Sequence, residues 1–254
     1  MLLAWGLCFG LAAPLGAQTG QPPQPLRSGL EFAGAEVRTL QRDEFANPAM
    51  LWVERGRAVW DAPAGRENRT CAGCHGAVAG MRGVATRYPQ VDAGGRLINL
   101  EERIRQCRER HQHAAPFDYE SDALLGLTAL VRLQSRGLPM NVGIDAGNRA
   151  HFERGRDFYS RRAGQMNLAC VHCHQDNWGR RLGAETISQG HATAYPAYRL
   201  EWQATGSLQR RFRSCLSGVR AEMLPYGAPE YLELELFLAW RSGELPLEAP
   251  GVRR

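Results

Sequence analysis

The sequence predicts a mainly α fold made of two tandem, duplicated domains, and three observations carry that prediction. Cys-x-x-Cys-His occurs twice, at 71–75 and 170–174, 99 residues apart. Glu54-Arg55-Gly56-Arg57 stands before the first motif at the same distance as Glu153-Arg154-Gly155-Arg156 before the second. After each motif, Leu100-x-x-Arg103-Ile104-Arg105-x-Cys107 answers to Leu208-x-x-Arg211-Phe212-Arg213-x-Cys215, and an apolar run at helical spacing follows.

Read from the start, residues 1–17 have the character of a signal peptide. Leu2 to Ala17 form an almost uncharged apolar run, too short to span a bilayer, with cleavage expected near Ala17. No basic residue precedes the run, and Leu15 is large for its place before the cut. Cys8 would leave with this segment, and six cysteines would remain. The expected location is the periplasm, with no membrane span in the mature protein. Residues 18–46 form an N-terminal extension whose Gln/Pro-rich stretch, Gln18 to Arg27, is expected to be disordered. Residues 47–146 are expected to be the first domain and 147–254 the second.

Composition fits a folded chain of two small domains: 44% apolar and 22% charged residues. The net charge of +5 rests on Arg alone, because the chain contains no Lys. The paired Cys-x-x-Cys-His motifs, the pattern of covalent haem attachment, would add four propionates and bring it to about +1, so no nucleic-acid partner is expected.

The haems follow from the paired motifs. Two thiols at this spacing can form thioethers with the two vinyl groups of one porphyrin, and the adjoining His becomes an axial ligand. Zinc is the alternative, but its paired thiolates normally lie closer in sequence and need no His after each pair. The sequence therefore predicts two covalently bound haem c groups in two cytochrome c-type domains. Cys71 and Cys74 hold one, Cys170 and Cys173 the other, with His75 and His174 on the irons.

Helices are predicted over 47–60 and 147–159, leading into each motif, with Pro48 near the first start. The apolar stripes at 122–134 and 228–240 predict two more, ended by Pro139 and Pro246. Gly and Pro between each motif and the Arg/Cys segment argue for loops rather than strands. The Leu and Trp stripes themselves are ordinary core.

The duplication also addresses the opposite face of each iron. Met81, Met140, Met166, Met223, His111, His113, His151, His172 and His191 are possible ligands, yet none has a like residue at the matched place. Cys107 and Cys215 do. They could be buried structural thiols or a disulfide with each other, which export permits. They could instead be axial thiolates, with Arg103 and Arg211 one helical turn earlier favouring the charged form. Arg105 and Arg213 fall on another face and are expected to be solvated.

These segments, together with Cys215-Leu216-Ser217, Met223-Leu224-Pro225-Tyr226 and Glu235-Leu236-Phe237-Leu238, resemble the dihaem A subunit of the sulfur-oxidation (Sox) cytochromes over nearly the whole mature chain. The resemblance implies a periplasmic L-cysteine S-thiosulfotransferase whose haems have His/Cys ligation, His75 with Cys107 and His174 with Cys215. It implies a heterodimer with a monohaem cytochrome, the X subunit. It also implies oxidative coupling of thiosulfate to a cysteine of the Sox YZ carrier complex, with electrons passing to that partner. The catalytic role falls on Cys215, which in the family can carry an extra sulfur, and on Arg211 as the cation that holds a sulfur oxyanion. The alternatives are a dihaem protein acting only in electron transfer and, less in keeping with two matched thiols, a dihaem peroxidase.

Overall fold

A computed structural model of the protein describes residues 21–254, and the expected signal peptide at 1–17 lies outside the described residues. After α1 (Ala35–Arg42) come four helices, α2 (Met50–Asp61), α3 (Cys71–His75), α4 (Leu100–His111) and α5 (Asp122–Leu133). The same order then repeats as α6 (Arg149–Ser160), α7 (Cys170–His174), α8 (Leu208–Gly218) and α9 (Pro229–Arg241). The architecture is the mainly α tandem expected from sequence.

Local chemistry sets the helix starts. The side chains of Asn99, Ser121 and Ser207 accept from the backbone N–H of Glu102, Leu124 and Arg210 at 2.8, 3.4 and 3.1 Å, giving α4, α5 and α8 their N-caps. Thr70 Oγ1 accepts from Gly73 N at 2.8 Å and starts α3. Pro229 occupies the first turn of α9, where its missing N–H costs nothing.

The duplicated Glu-Arg-Gly-Arg segment proves to be a helix crossing. Gly56 on α2 faces Gly126 on α5 so closely that a Cβ would overlap the Gly126 carbonyl, and Gly155 on α6 meets the Glu233 carbonyl of α9 in the same way. Around these crossings lie two cores. Val53, Trp60, Ile98, Leu127 and Leu130 anchor one, and Phe152, Tyr159, Phe212, Tyr231 and Phe237 the other.

Strands are present where loops were expected. β1 (Gln90–Val91) pairs antiparallel with β2 (Leu97–Ile98), and β3 (Arg181–Leu182) with β4 (Glu185–Thr186). β5 (Ala197–Arg199) lies between antiparallel β6 (Ala204–Gly206) and parallel β7 (Gly251–Arg253). Pairs of two or three residues are too short for an alternating pattern to be readable in sequence. Tyr88 follows His75 by 13 positions but Tyr195 follows His174 by 21, and the β3–β4 hairpin occupies the excess.

The extension is also more ordered than its composition suggests. Gln189 accepts from Arg27 N at 2.8 Å and donates to the Pro25 carbonyl at 2.9 Å, which fixes the end of the Gln/Pro-rich stretch against the second repeat. Gln41 on α1 accepts from Val252 N of β7 at 2.9 Å.

The two repeats meet through matched residues. Tyr119 stacks on Tyr226 with ring centroids 6.2 Å apart and planes 14° from parallel. Pro139 bridges to Pro246, while Met140 N donates to Leu245 O at 3.1 Å and Leu247 N to Leu138 O at 2.8 Å. The tyrosine and proline pairs join equivalent positions, and the two hydrogen bonds are each other's counterparts, as a local two-fold relation requires. A polar cluster is buried at the same boundary. Glu235 accepts from Asn99 at 3.1 Å and from Gln209 at 2.7 Å, with Glu101 and Arg132 beside it around a cavity of about 30 Å³.

Candidate functional site

In each repeat the short motif helix faces the Arg/Cys helix. Burial, and then the neighbouring Cys107, raises the Cys71 thiol, and Cys74 in turn acts on Cys107. In the second repeat burial, and then Cys215, pushes Cys170 up to about 12 and raises Cys173 as well. Each matched cysteine therefore lies beside its own Cys-x-x-Cys-His motif. All six cysteines among the described residues are free thiols, so the disulfide alternative is not realised.

The geometry suits a haem at these motifs. His174 Nδ1 donates to the Ser188 carbonyl at 2.8 Å, which leaves Nε2 as the lone-pair nitrogen available to an iron. Burial pulls His174 down to about 4, so the imidazole is neutral, the form that ligates metal. Gly190, at φ 75°, lies where any Cβ would strike the His174 ring. In the first repeat the Trp60 ring lies 5.8 Å from the His75 ring, and Trp60 Nε1 donates to the Gly76 carbonyl at 3.2 Å.

Helical spacing turns Arg103 toward Cys107 and Arg211 toward Cys215, and the two arginines differ in what else they touch. Arg103 donates to the Tyr88 hydroxyl at 3.3 Å and to Gln106 at 3.2 Å. The Arg211 guanidinium makes no hydrogen bond or ion pair among the described residues, although its backbone N–H donates to Ser207 O at 3.3 Å. Burial works against its charge, but Cys215, Tyr195, Glu185 and Glu201 more than offset this and raise it above its ordinary value. At Cys107 burial outweighs Arg103 and raises the thiol, so the arginine alone does not supply a thiolate there. Iron coordination would remove that proton.

Arg105 and Arg213 are not the solvated cations expected. Each reaches back to a carbonyl, of Phe117 and of Leu224, and lies over an aromatic ring, 4.6 Å from the Tyr119 centroid and 4.8 Å from that of Tyr226. Cation–π contact with the stacked tyrosines and a carbonyl partner hold them in the boundary between repeats. Five of the other possible axial residues are accounted for without an iron. Met140 is core, Met166 and Met223 are exposed, and His151 bonds Glu233 at 2.9 Å. His191 has both ring nitrogens engaged, by Ser242 and Gln189.

Sequence reasoning missed Ser188, which acts through its backbone carbonyl and so leaves no side-chain signal. It also missed Arg241, 0% exposed on α9, which donates to the carbonyls of Gln189 and His174. Its matched position holds Gln134, and that difference was visible in the duplicated sequence.

Among the described residues no helix is long and apolar enough to cross a membrane. The profile of the SoxA/TsdA cytochrome c domain matches residues 55–140. The L-cysteine S-thiosulfotransferase subunit SoxA of Rhodovulum sulfidophilum is 37% identical across 95% of this chain and 85% of its own length. That of Paracoccus pantotrophus is 35% identical across 89% and 78%. The crystal structure of SoxXA from P. pantotrophus superposes with a TM-score of 0.88 at 34% identity, covering 92% of both chains. With the paired motifs and free thiols already described, these likenesses place the chain among cytochromes with covalently bound haem c, and it belongs to the SoxA family.

Proposed function

We propose that the protein is the periplasmic dihaem subunit of an L-cysteine S-thiosulfotransferase, with residues 47–146 and 147–254 each bearing one haem c. Thioethers from Cys71 and Cys74, and from Cys170 and Cys173, hold the haems. His75 and Cys107 would ligate the first iron, and His174 and Cys215 the second. The catalytic centre is the second, and its partner is a monohaem X subunit that receives the electrons.

The reaction joins a thiolate of the Sox YZ carrier to the outer sulfur of thiosulfate. One S–S bond forms, no bond breaks, and two electrons leave. The haem irons supply one-electron acceptor chemistry for that step. Arg211 binds the sulfonate oxygens by charge-assisted hydrogen bonds and aims the outer sulfur at Cys215. Cys215 combines iron ligation with the capacity of a thiol to exchange sulfur. Tyr195 and Glu185 of the β3–β4 hairpin lie near Arg211 and favour its charged form.

The observation that carries this reading is the contrast between the two arginines. Arg103 is bound to Tyr88 and Gln106, whereas Arg211 keeps its donors free beside Cys215. A guanidinium with free donors beside the matched thiol suits an anionic sulfur substrate. The test is Cys215→Ala in the complete complex, with retention of both haems verified by mass. Thiosulfate-dependent turnover with carrier and partner is expected to fall at least 100-fold. Turnover at the parent rate would refute catalysis at Cys215.

A further inference from the structure

Arg241 is the largest wholly buried side chain of the described residues, and no carboxylate lies within ion-pair distance of it among them. Its Nη1 donates to the Gln189 carbonyl at 2.6 Å, and its Nη2 to Gln175 Oε1 at 2.7 Å and to the His174 carbonyl at 3.4 Å. The guanidinium lies 5.1 Å from the Tyr159 ring centroid, and Nε has no partner. Gln189 follows Ser188, whose carbonyl orients His174, so Arg241 braces both chain segments that fix this imidazole.

Burying a cation without a counter-ion costs several kcal/mol even after relaxation. Three hydrogen bonds and an aromatic face offset part of that cost. Neutral groups could brace the same loop more cheaply, and the first repeat uses them. Trp60 stands at the position of Tyr159, Gly76 at that of Gln175 and Gln134 at that of Arg241. Trp60 Nε1 donates to the Gly76 carbonyl at 3.2 Å and its ring packs on His75, while Gln134 turns back to its own helix at the Leu130 carbonyl, 3.0 Å away. The same framework is thus built once without a charge and once with one.

We propose that Arg241 is a positioning residue of the second haem whose fixed positive charge, set behind His174, raises the reduction potential of that haem above that of the first. The inference rests on the reading that both motifs carry haem, and it is independent of whether Cys215 reacts with sulfur. Adding an electron to the iron removes one unit of positive charge, so a buried neighbouring cation favours the reduced form. Thiolate ligation works in the opposite direction and would make the haem a poor acceptor. Arg241 counters that effect at the second haem. The first haem, braced by Trp60, lacks the correction.

The experiment is a potentiometric titration of the intact complex, with the two haems resolved by electron paramagnetic resonance and haem content counted separately by mass. Arg241→Gln, which installs the first-repeat residue, is expected to lower the second-haem potential by a tenfold shift in its reduced-to-oxidised ratio, about 59 mV for one electron. The first haem should not move, and Arg241→Lys should stay near the parent. An unchanged second-haem potential in the Gln variant, or an equal fall in the Lys variant, overturns the proposal. Should the Gln variant lose its second haem, Gln134→Arg carries the test in the first repeat. A raised first-haem potential supports the charge effect, and an unchanged one overturns it. Absence of haem mass at either motif would instead refute the dihaem reading.

Discussion

Gly155 on α6 lies against the Glu233 carbonyl of α9, leaving no room for a methyl group between the helices. The Phe237 Cβ is 3.1 Å from the same point, so the clash cannot be relieved by a flexible side chain. Gly155→Ala is expected to destabilise the protein by about 1–3 kcal/mol or more, the range for overpacking a closed contact. Gly56→Ala should act alike through the Gly126 carbonyl. Denaturant unfolding of the haem-loaded variants checks this, and parent-like midpoints would show that the helices part freely.

Glu235 predicts a pH effect on stability. Burial, then repulsion from Glu101, pushes its carboxyl up to about 8, while Gln209, Asn99 and Arg132 act in the opposite direction. Below the ordinary carboxylate value of 4.5 the folded and unfolded chains both hold the proton, and its contribution is complete. Between there and about 8 only the folded chain holds it, so stability falls as pH rises. Glu235→Gln should flatten that decline by about 2–4 kcal/mol between pH 5 and 9, read from urea midpoints. A variant with the parent's slope would place the titrating group elsewhere.

Arg211→Gln is expected to reduce thiosulfate turnover by about 30- to 100-fold, the loss of one or two charge-assisted hydrogen bonds. Arg211→Lys should recover part of it. Arg103→Gln should change turnover by less than about threefold, because that guanidinium already serves Tyr88 and Gln106. Equal losses at both positions would mean that the two arginines share one structural task.

Cys107→Ala should alter the spectrum of one haem and leave thiosulfate turnover within about threefold of the parent. The motive is again that Arg103, unlike Arg211, is already engaged by Tyr88 and Gln106. Steady-state assays with carrier and partner decide it. A loss comparable to that of Cys215→Ala would make the first haem an obligatory part of the reaction.

Much of this arrangement was legible in the chain because duplication supplied an internal alignment. The spacing of Glu54-Arg55-Gly56-Arg57 and its copy located both helix crossings, although nothing in the sequence revealed that the glycines rather than the charges were the point. Pro139 and Pro246 read as helix ends, and they also bridge the two repeats. The misread residues are those whose partners are distant in sequence or are backbone groups. Arg105 and Arg213 have surface-like spacing, yet tyrosines and carbonyls from beyond their own helices cover them. The short strands carry too few residues to print a period, and the Pro25–Arg27 segment is held by Gln189, more than 160 residues away.

The pairing of each proximal His with the matched Cys is tested most directly by low-temperature electron paramagnetic resonance of the oxidised complex. The parent should show two low-spin ferric signals of His/thiolate character. Cys107→Ala should remove one and Cys215→Ala the other, with both haems still attached. A methionine-type spectrum at either iron, or a thiolate signal that survives the substitution of its assigned cysteine, would contradict the account.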